Sequence, residues 1–127
     1  MVVYADTSVF VASALREPQR DAARKRLKSA ARVVTSALTE AELASALARS
    51  ERSPEADAWL AGVYLLMPPR PLRREIRRVL RIGYAKGADC WHLANALWFR
   101  DSHRIDLAFV TLDERQRRLA DALGLEP

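Results

Sequence analysis

Four acids in this chain stand where a carboxylate can do chemistry: Asp6, Glu42, Asp89 and Asp113. Asp6 follows the apolar run Val2-Val3-Tyr4-Ala5 and precedes two hydroxyl residues, Thr7 and Ser8. Asp113 stands just past a second apolar run, Leu107-Ala108-Phe109-Val110-Thr111. Glu42 and Asp89 fall in the first turns of predicted helices. Carboxylates gathered in one cleft repel each other and raise each other's pKa unless a cation is present. An all-oxygen donor set suits Mg²⁺ or Mn²⁺ rather than zinc. The only histidines are His92 and His103, and there is no Cys/His ligand set. Each acid taken singly has a plainer use. Asp is among the best helix N-caps, so Asp6 on its own reads first as a cap. Thr39-x-x-Glu42 matches a capping box, which would turn Glu42 back onto the Thr39 backbone. Asp89 can cap the helix that it opens.

The elements that must position these acids alternate. Val2–Ala5 reads as a buried strand, followed by a short apolar helix through Val9 and Leu15. Pro18 opens a basic helix reaching Ala30, with Ala22, Ala23 and Leu27 inward. Residues 32–36 form a second strand, and a helix opens at Thr39 with Leu43, Ala44, Leu47 and Ala48 at helical spacing. Ser53-Pro54 reads as a cap and first position for a helix with Trp59, Leu60, Val63 and Leu66 inward. The proline-rich stretch 67–71 allows at most a very short edge strand. From Leu72 to about Tyr84 an amphipathic helix puts Leu72, Ile76, Val79, Leu80 and Tyr84 on one face. Arg73, Arg74, Arg77, Arg78 and Arg81 cover the other, with Glu75 alone to balance them. That face is either solvated or a contact for an acidic polymer, with Arg73, Arg77 and Arg81 as RNA-binding candidates. Gly87-Ala88 is expected to break the chain before an apolar helix, residues 89–99. On it His92 reads as a packed or hydrogen-bonded histidine, and Asn95 as a polar group at a packing seam. Trp91 and Trp98 form a stripe that is core or partner surface. The Leu107–Thr111 strand and a helix from Asp113 to a stop at Gly124 complete the order, with 125–127 a short strand or tail. Strand–helix alternation predicts a mostly parallel sheet with right-handed crossovers, so acids after neighbouring strands meet at one sheet edge.

The composition fits one domain. The chain has 127 residues, half of them hydrophobic and 29% charged, enough for a core without disulfides. A single cysteine, Cys90, fits a reducing cytoplasm. No apolar run approaches a membrane span, and the start lacks a basic leader region. The net charge of +5 and pI near 10.0 favour a polyanionic partner such as nucleic acid. A basic chain carrying a cluster of acids suggests phosphodiester chemistry.

These motifs carry a resemblance. The opening strand with Asp6-Thr7-Ser8, the Glu42-Leu43 helix, Ala88-Asp89-x-x-His92-Leu93-Ala94-x-Ala96 and Val110-Thr111-Leu112-Asp113 together resemble the PIN domain, a family of small metal-dependent ribonucleases. Within it the chain is similar to the VapC-type toxins of toxin–antitoxin pairs. The resemblance covers residues 1–127 as one domain. It implies a three-layer α/β/α sandwich around a mostly parallel sheet. It implies Mg²⁺ (or Mn²⁺) held by Asp6, Glu42, Asp89 and Asp113, with Thr7, Ser8 and Thr111 hydrogen-bonding nearby. It implies hydrolysis of RNA by activated water to a 5′-phosphate and a 3′-OH, a cytoplasmic site of action, an antitoxin partner and a homodimer. It also weighs Glu42 toward a metal role over a cap. One departure is Cys90-Trp91, where many relatives carry small apolar residues.

Other readings fit less well. A haloacid-dehalogenase-like phosphatase wants an acid where Ser8 stands. A receiver-like domain wants a late lysine that this chain lacks. A non-catalytic RNA- or partner-binding module of the same fold, a housekeeping nuclease, and a metal-independent ribonuclease using His92 and His103 are separable by experiment.

Overall fold

In the computed structural model, which describes residues 1–51 and 55–125, β-branched and apolar runs form four short strands. The order is β1 (Val2–Ala5), α1 (Thr7–Ala14), α2 (Arg20–Ser29), β2 (Arg32–Ser36), α3 (Leu38–Arg49) and α4 (Ala56–Trp59). Then come β3 (Tyr64–Leu66), α5 (Arg73–Ile82), α6 (Gly87–His103), β4 (Leu107–Val110) and α7 (Glu114–Ala122). The sheet order is β3-β2-β1-β4 and every pairing is parallel. Helices cover both faces, as an all-parallel sheet requires. Val3, Ala5, Ala108 and Val110 face α1 and α3 through Val9, Phe10, Leu43 and Leu47. Tyr4, Leu107 and Phe109 face α5, α6 and α7 through Val79, Leu93, Leu97 and Leu119. The result is the expected three-layer α/β/α sandwich.

The chain winds from β1 outward to β2 and β3, then returns to lay β4 on the other side of β1. That reversal is a topological switch point, and ligands of open α/β sheets bind beyond the strand ends there. Asp6 leaves β1 at this point, and Thr111 leaves β4 beside it.

Several local expectations change. The helix expected to carry Trp59, Leu60, Val63 and Leu66 inward is a single turn, and its expected start at Ser53-Pro54 lies outside the described residues. Gly62, at φ +78, turns the chain in a conformation glycine adopts without strain, so the next residues form β3 instead. The edge strand therefore precedes the proline-rich stretch. The chain breaks at Gly83–Lys86, and Gly87 opens α6 rather than ending a segment. Leu80 and Tyr84 are exposed, because α5 buries the stripe Leu72, Glu75 and Val79, and Tyr84 lies beyond its end. The segment after Gly124 docks, with Leu125 buried and its carbonyl accepting from the Phe109 N–H.

Glu75, expected on the solvated face, is 4% exposed. The Arg70 guanidinium holds both its oxygens, at 3.0 and 2.7 Å. Those bonds hold its carboxyl below the ordinary value of 4.5. A depressed acid contributes stability above its unfolded pKa and loses it as pH falls through the folded value. Arg70→Met should therefore lower the urea midpoint at neutral pH, and the gap from the unaltered protein should close as the pH falls from 4.5 through the lowered folded value. A gap unchanged by acid would refute this role for the pair.

Candidate active site

Asp6 sits where β1 ends, and its backbone N–H continues the sheet ladder to the Val110 carbonyl. Its side chain is buried and accepts three hydrogen bonds. Oδ1 accepts from the Ser8 N–H at 3.1 Å and the Ser8 hydroxyl at 2.5 Å, and Oδ2 accepts from the Thr111 hydroxyl at 2.6 Å. Both hydroxyls are themselves acceptors. Ser8 Oγ takes the Leu112 N–H and Thr111 Oγ1 takes the Asp113 N–H. Asp6 is therefore an N-cap of α1, as its isolated reading suggests, and also the pin that joins the starts of α1 and α7. Burial raises its pKa above 3.8, against the two hydroxyl bonds that lower it, and the charge of Asp89 adds to the rise.

Asp89 lies in the first turn of α6, half-buried. It does not cap, since no side-chain bond closes that helix start. No protein group among the described residues donates to its carboxylate. Burial raises its pKa, and the charges of Asp113 and Glu42 raise it further, against His92 and Lys86. The buried Gln116 amide reaches the Asp89 carbonyl at 3.2 Å and so ties the first turn of α7 to that of α6. Asp113 is exposed and caps α7, its Oδ1 accepting from the Gln116 N–H at 2.9 Å.

The capping-box expectation for Glu42 is overturned. α3 begins a residue earlier than Thr39, and its first turn is tied by Ser36 Oγ, which accepts from the Leu38 N–H at 3.0 Å. Thr39 is buried inside the helix and touches Thr35 at 2.7 Å. Glu42 instead points across to α1 and α6. Its Oε1 accepts from the Thr7 hydroxyl at 2.7 Å and meets His92 Nε2 at 2.8 Å. His92 is buried and hydrogen-bonded, as expected of it, with Nδ1 2.7 Å from the Tyr4 hydroxyl.

The structure thus brings Asp6, Glu42, Asp89 and Asp113 into one electrostatic cluster at the switch point, with Thr7, Ser8 and Thr111 bonded to them. The chemistry of this set fits a hard divalent cation: all oxygens, with Asp89 lifted by its acid neighbours and given no donor. The geometry is less closed. Among the described residues no three His, Cys, Asp or Glu side chains converge to enclose a metal, since Asp6 and Asp113 face helix N–H groups and Glu42 faces Thr7 and His92.

Arg73, Arg77 and Arg81 are exposed on α5, without an ion pair among the described residues, and none of them is among the charges that shift Asp6 or Asp89. Two cations nearer the acids escaped the sequence reading. Lys86 lowers the pKa of Asp89, and Arg117 donates to the Thr111 carbonyl at 3.1 Å. The only hint of Lys86 was its spacing of three from Asp89. Arg117 had none beyond standing in the helix after Asp113. The Trp stripe is divided: Trp91 donates its indole N–H to Ser36 Oγ at 3.1 Å, and Trp98 packs partly buried against the core and edge-on to His103. Asn95 is buried, its amide donating to the Trp91 carbonyl.

No helix among the described residues is long and apolar enough to cross a membrane. No curated protein matches the chain closely enough to serve as a relative. The PIN domain family matches residues 3–122, nearly the whole chain and every acid of the cluster. With that match and the parallel α/β/α sheet in hand, the chain belongs to the PIN domain family, whose members are in general nucleases.

Proposed function

We propose that this protein is a Mg²⁺- or Mn²⁺-dependent endoribonuclease, the toxin of a VapBC-type toxin–antitoxin pair. The observation that carries the nuclease reading is Asp89: a half-buried carboxylate with acid neighbours and no protein donor, beside a buried Asp6 in a basic chain. Asp6, Asp89, Glu42 and Asp113 would hold the ion. A divalent cation there supplies Lewis-acid activation of water and neutralises charge developing on the phosphate. The chain's own groups do the rest. Ser8 and Thr111 fix the direction of Asp6, Thr7 fixes that of Glu42, and Lys86 supplies positive charge beside Asp89. Arg73, Arg77 and Arg81 would hold RNA by its backbone without reading sequence.

Partners extend the proposal. A cleft of about 450 Å³ is lined by Phe10, Leu27 and Trp59 together with the basic Arg24 and Lys28. It suits an acidic amphipathic segment of an antitoxin, whose basic tail would reach the acids. A second copy of the chain would cover the exposed Leu80, Ile82 and Tyr84. A small adjacent upstream reading frame with a DNA-binding fold would favour toxin over housekeeping nuclease.

A second reading is a non-catalytic binding module, favoured by the carboxylates already engaged with helix N–H groups and hydroxyls. Cleavage decides. RNA should be cut with Mg²⁺ or Mn²⁺ and left intact in excess chelator; undiminished cleavage under chelation would sink the metal reading. Asp6→Asn separates cap from ligand. Asn caps about as well as Asp. Asn also removes a charge whose burial destabilises the fold as pH rises from 3.8 through the raised folded value. Cleavage should fall steeply while the melting temperature of the chelated protein holds or rises. Near-normal metal-dependent cleavage, or lost cleavage fully explained by unfolding, would make Asp6 a structural group alone. Replacing Arg73, Arg77 and Arg81 by Ser should flatten the salt dependence of RNA binding, by roughly 0.7 in log–log slope for each phosphate no longer neutralised. An unchanged slope would return α5 to solvent or to a protein partner.

A further inference from the structure

Tyr4 and His92 are polar, buried and unexplained by the acid set alone. Their hydrogen bonds have one consistent direction. The Ser36 N–H donates to the Tyr4 oxygen at 3.1 Å. The single Tyr4 proton then points to His92 Nδ1 at 2.7 Å. An imidazole that accepts at Nδ1 and is neutral carries its proton on Nε2. That proton faces Glu42 Oε1 at 2.8 Å, and an ionised carboxylate only accepts. The reverse arrangement fails at Glu42. With the proton on Nδ1, the Tyr4 proton could turn to Thr35, but the bare Nε2 lone pair would face a carboxylate oxygen at 2.8 Å.

The relay is held rigidly. Tyr4 stacks on Phe109 with ring centres 5.1 Å apart and an interplanar angle of 7°. Its edge meets His92 at 5.9 Å and 73°. Ser36, which starts the relay, is also clamped by Trp91 and by the first turn of α3. At the far end Oε1 has two donors, Thr7 and His92, while Oε2 has no protein donor among the described residues.

We propose that Tyr4 and His92 are positioning residues for Glu42: Tyr4 locks His92 as the Nε2–H tautomer, His92 with Thr7 holds Oε1, and Oε2 alone is presented to a cation or water. The role rests on the nuclease reading, but the tautomer does not. Such a partner behind a ligating group sets its direction and affinity.

The tautomer is read from imidazole ¹⁵N shifts in metal-free protein, with His103→Gln leaving one histidine to assign. The unaltered relay should show a protonated Nε2 and a bare Nδ1, and Tyr4→Phe should give a mixture. A protonated Nδ1 overturns the proposal. The second arm is Mn²⁺ binding by calorimetry. His92→Leu should weaken it about tenfold, and His92→Gln, whose amide can accept from Tyr4 and donate to Glu42, should recover most of the loss. His92→Leu combined with Glu42→Gln should lose no more than Glu42→Gln alone. Additive losses overturn the proposal, as does binding that His92→Leu and Tyr4→Phe leave unchanged. An Nε2–H tautomer with coupled Mn²⁺ binding but no RNA cleavage keeps the relay and discards the nuclease. Metal-dependent cleavage with an Nδ1–H imidazole does the opposite.

Discussion

The constraint on which this structure depends is the burial of one carboxylate at the seam between β1 and β4. Water is excluded from Asp6, so its charge must be met by donors or neutralised. Ser8 and Thr111 meet it, and each hydroxyl passes the demand onward to a backbone N–H of the turn after β4. The start of α1, the end of β4 and the start of α7 are thereby locked to one atom group. Groups of one sign are gathered on the open side of that lock: besides burial, Asp89 raises the pKa of Asp6, and Asp113 and Glu42 raise that of Asp89.

Much of this was legible in the sequence because it is local. An apolar run that stops at an acid and two hydroxyls encodes strand, cap and helix within eight residues at Asp6, and Asp113 likewise follows a strand and caps a helix. The parallel sheet followed from strand–helix alternation. Distance along the chain is what hid the rest. Thr39-x-x-Glu42 satisfies a local rule, yet Glu42 is claimed by Thr7 and by His92, fifty residues on. Glu75 shares the spacing of Leu72 and Val79 and only its charge suggests the solvated face; Arg70, outside the helix, pairs it where it is buried. β3 was masked by apolar residues at helical spacing until Gly62 broke the turn. In each case a tertiary partner overrode a propensity.

Trp91 shows how bulk near the acids is accommodated. A large ring two residues from Asp89 could be expected to disturb the helix that carries it. Instead its indole N–H finds Ser36, so bulk on α6 becomes a brace for the start of α3. The acids on the two helices are thus joined by a contact that involves neither acid. Function is argued from such features of the site and not from the fold.

The strand order carries a consequence for synthesis. β1 is made first and lies second from one edge, but its neighbour at the switch point, β4, is made nearly last. The bond from Thr111 to Asp6 spans 105 residues. Until β4 emerges, the chain therefore exposes one flank of β1 and leaves Asp6 without one of its donors. Chains rich in such distant pairings fold slowly. A ribosome-bound fragment ending before β4 would hold three of the acids with no assembled cleft. Any hydrolytic capacity would thus be withheld from the ribosome until β4 had emerged.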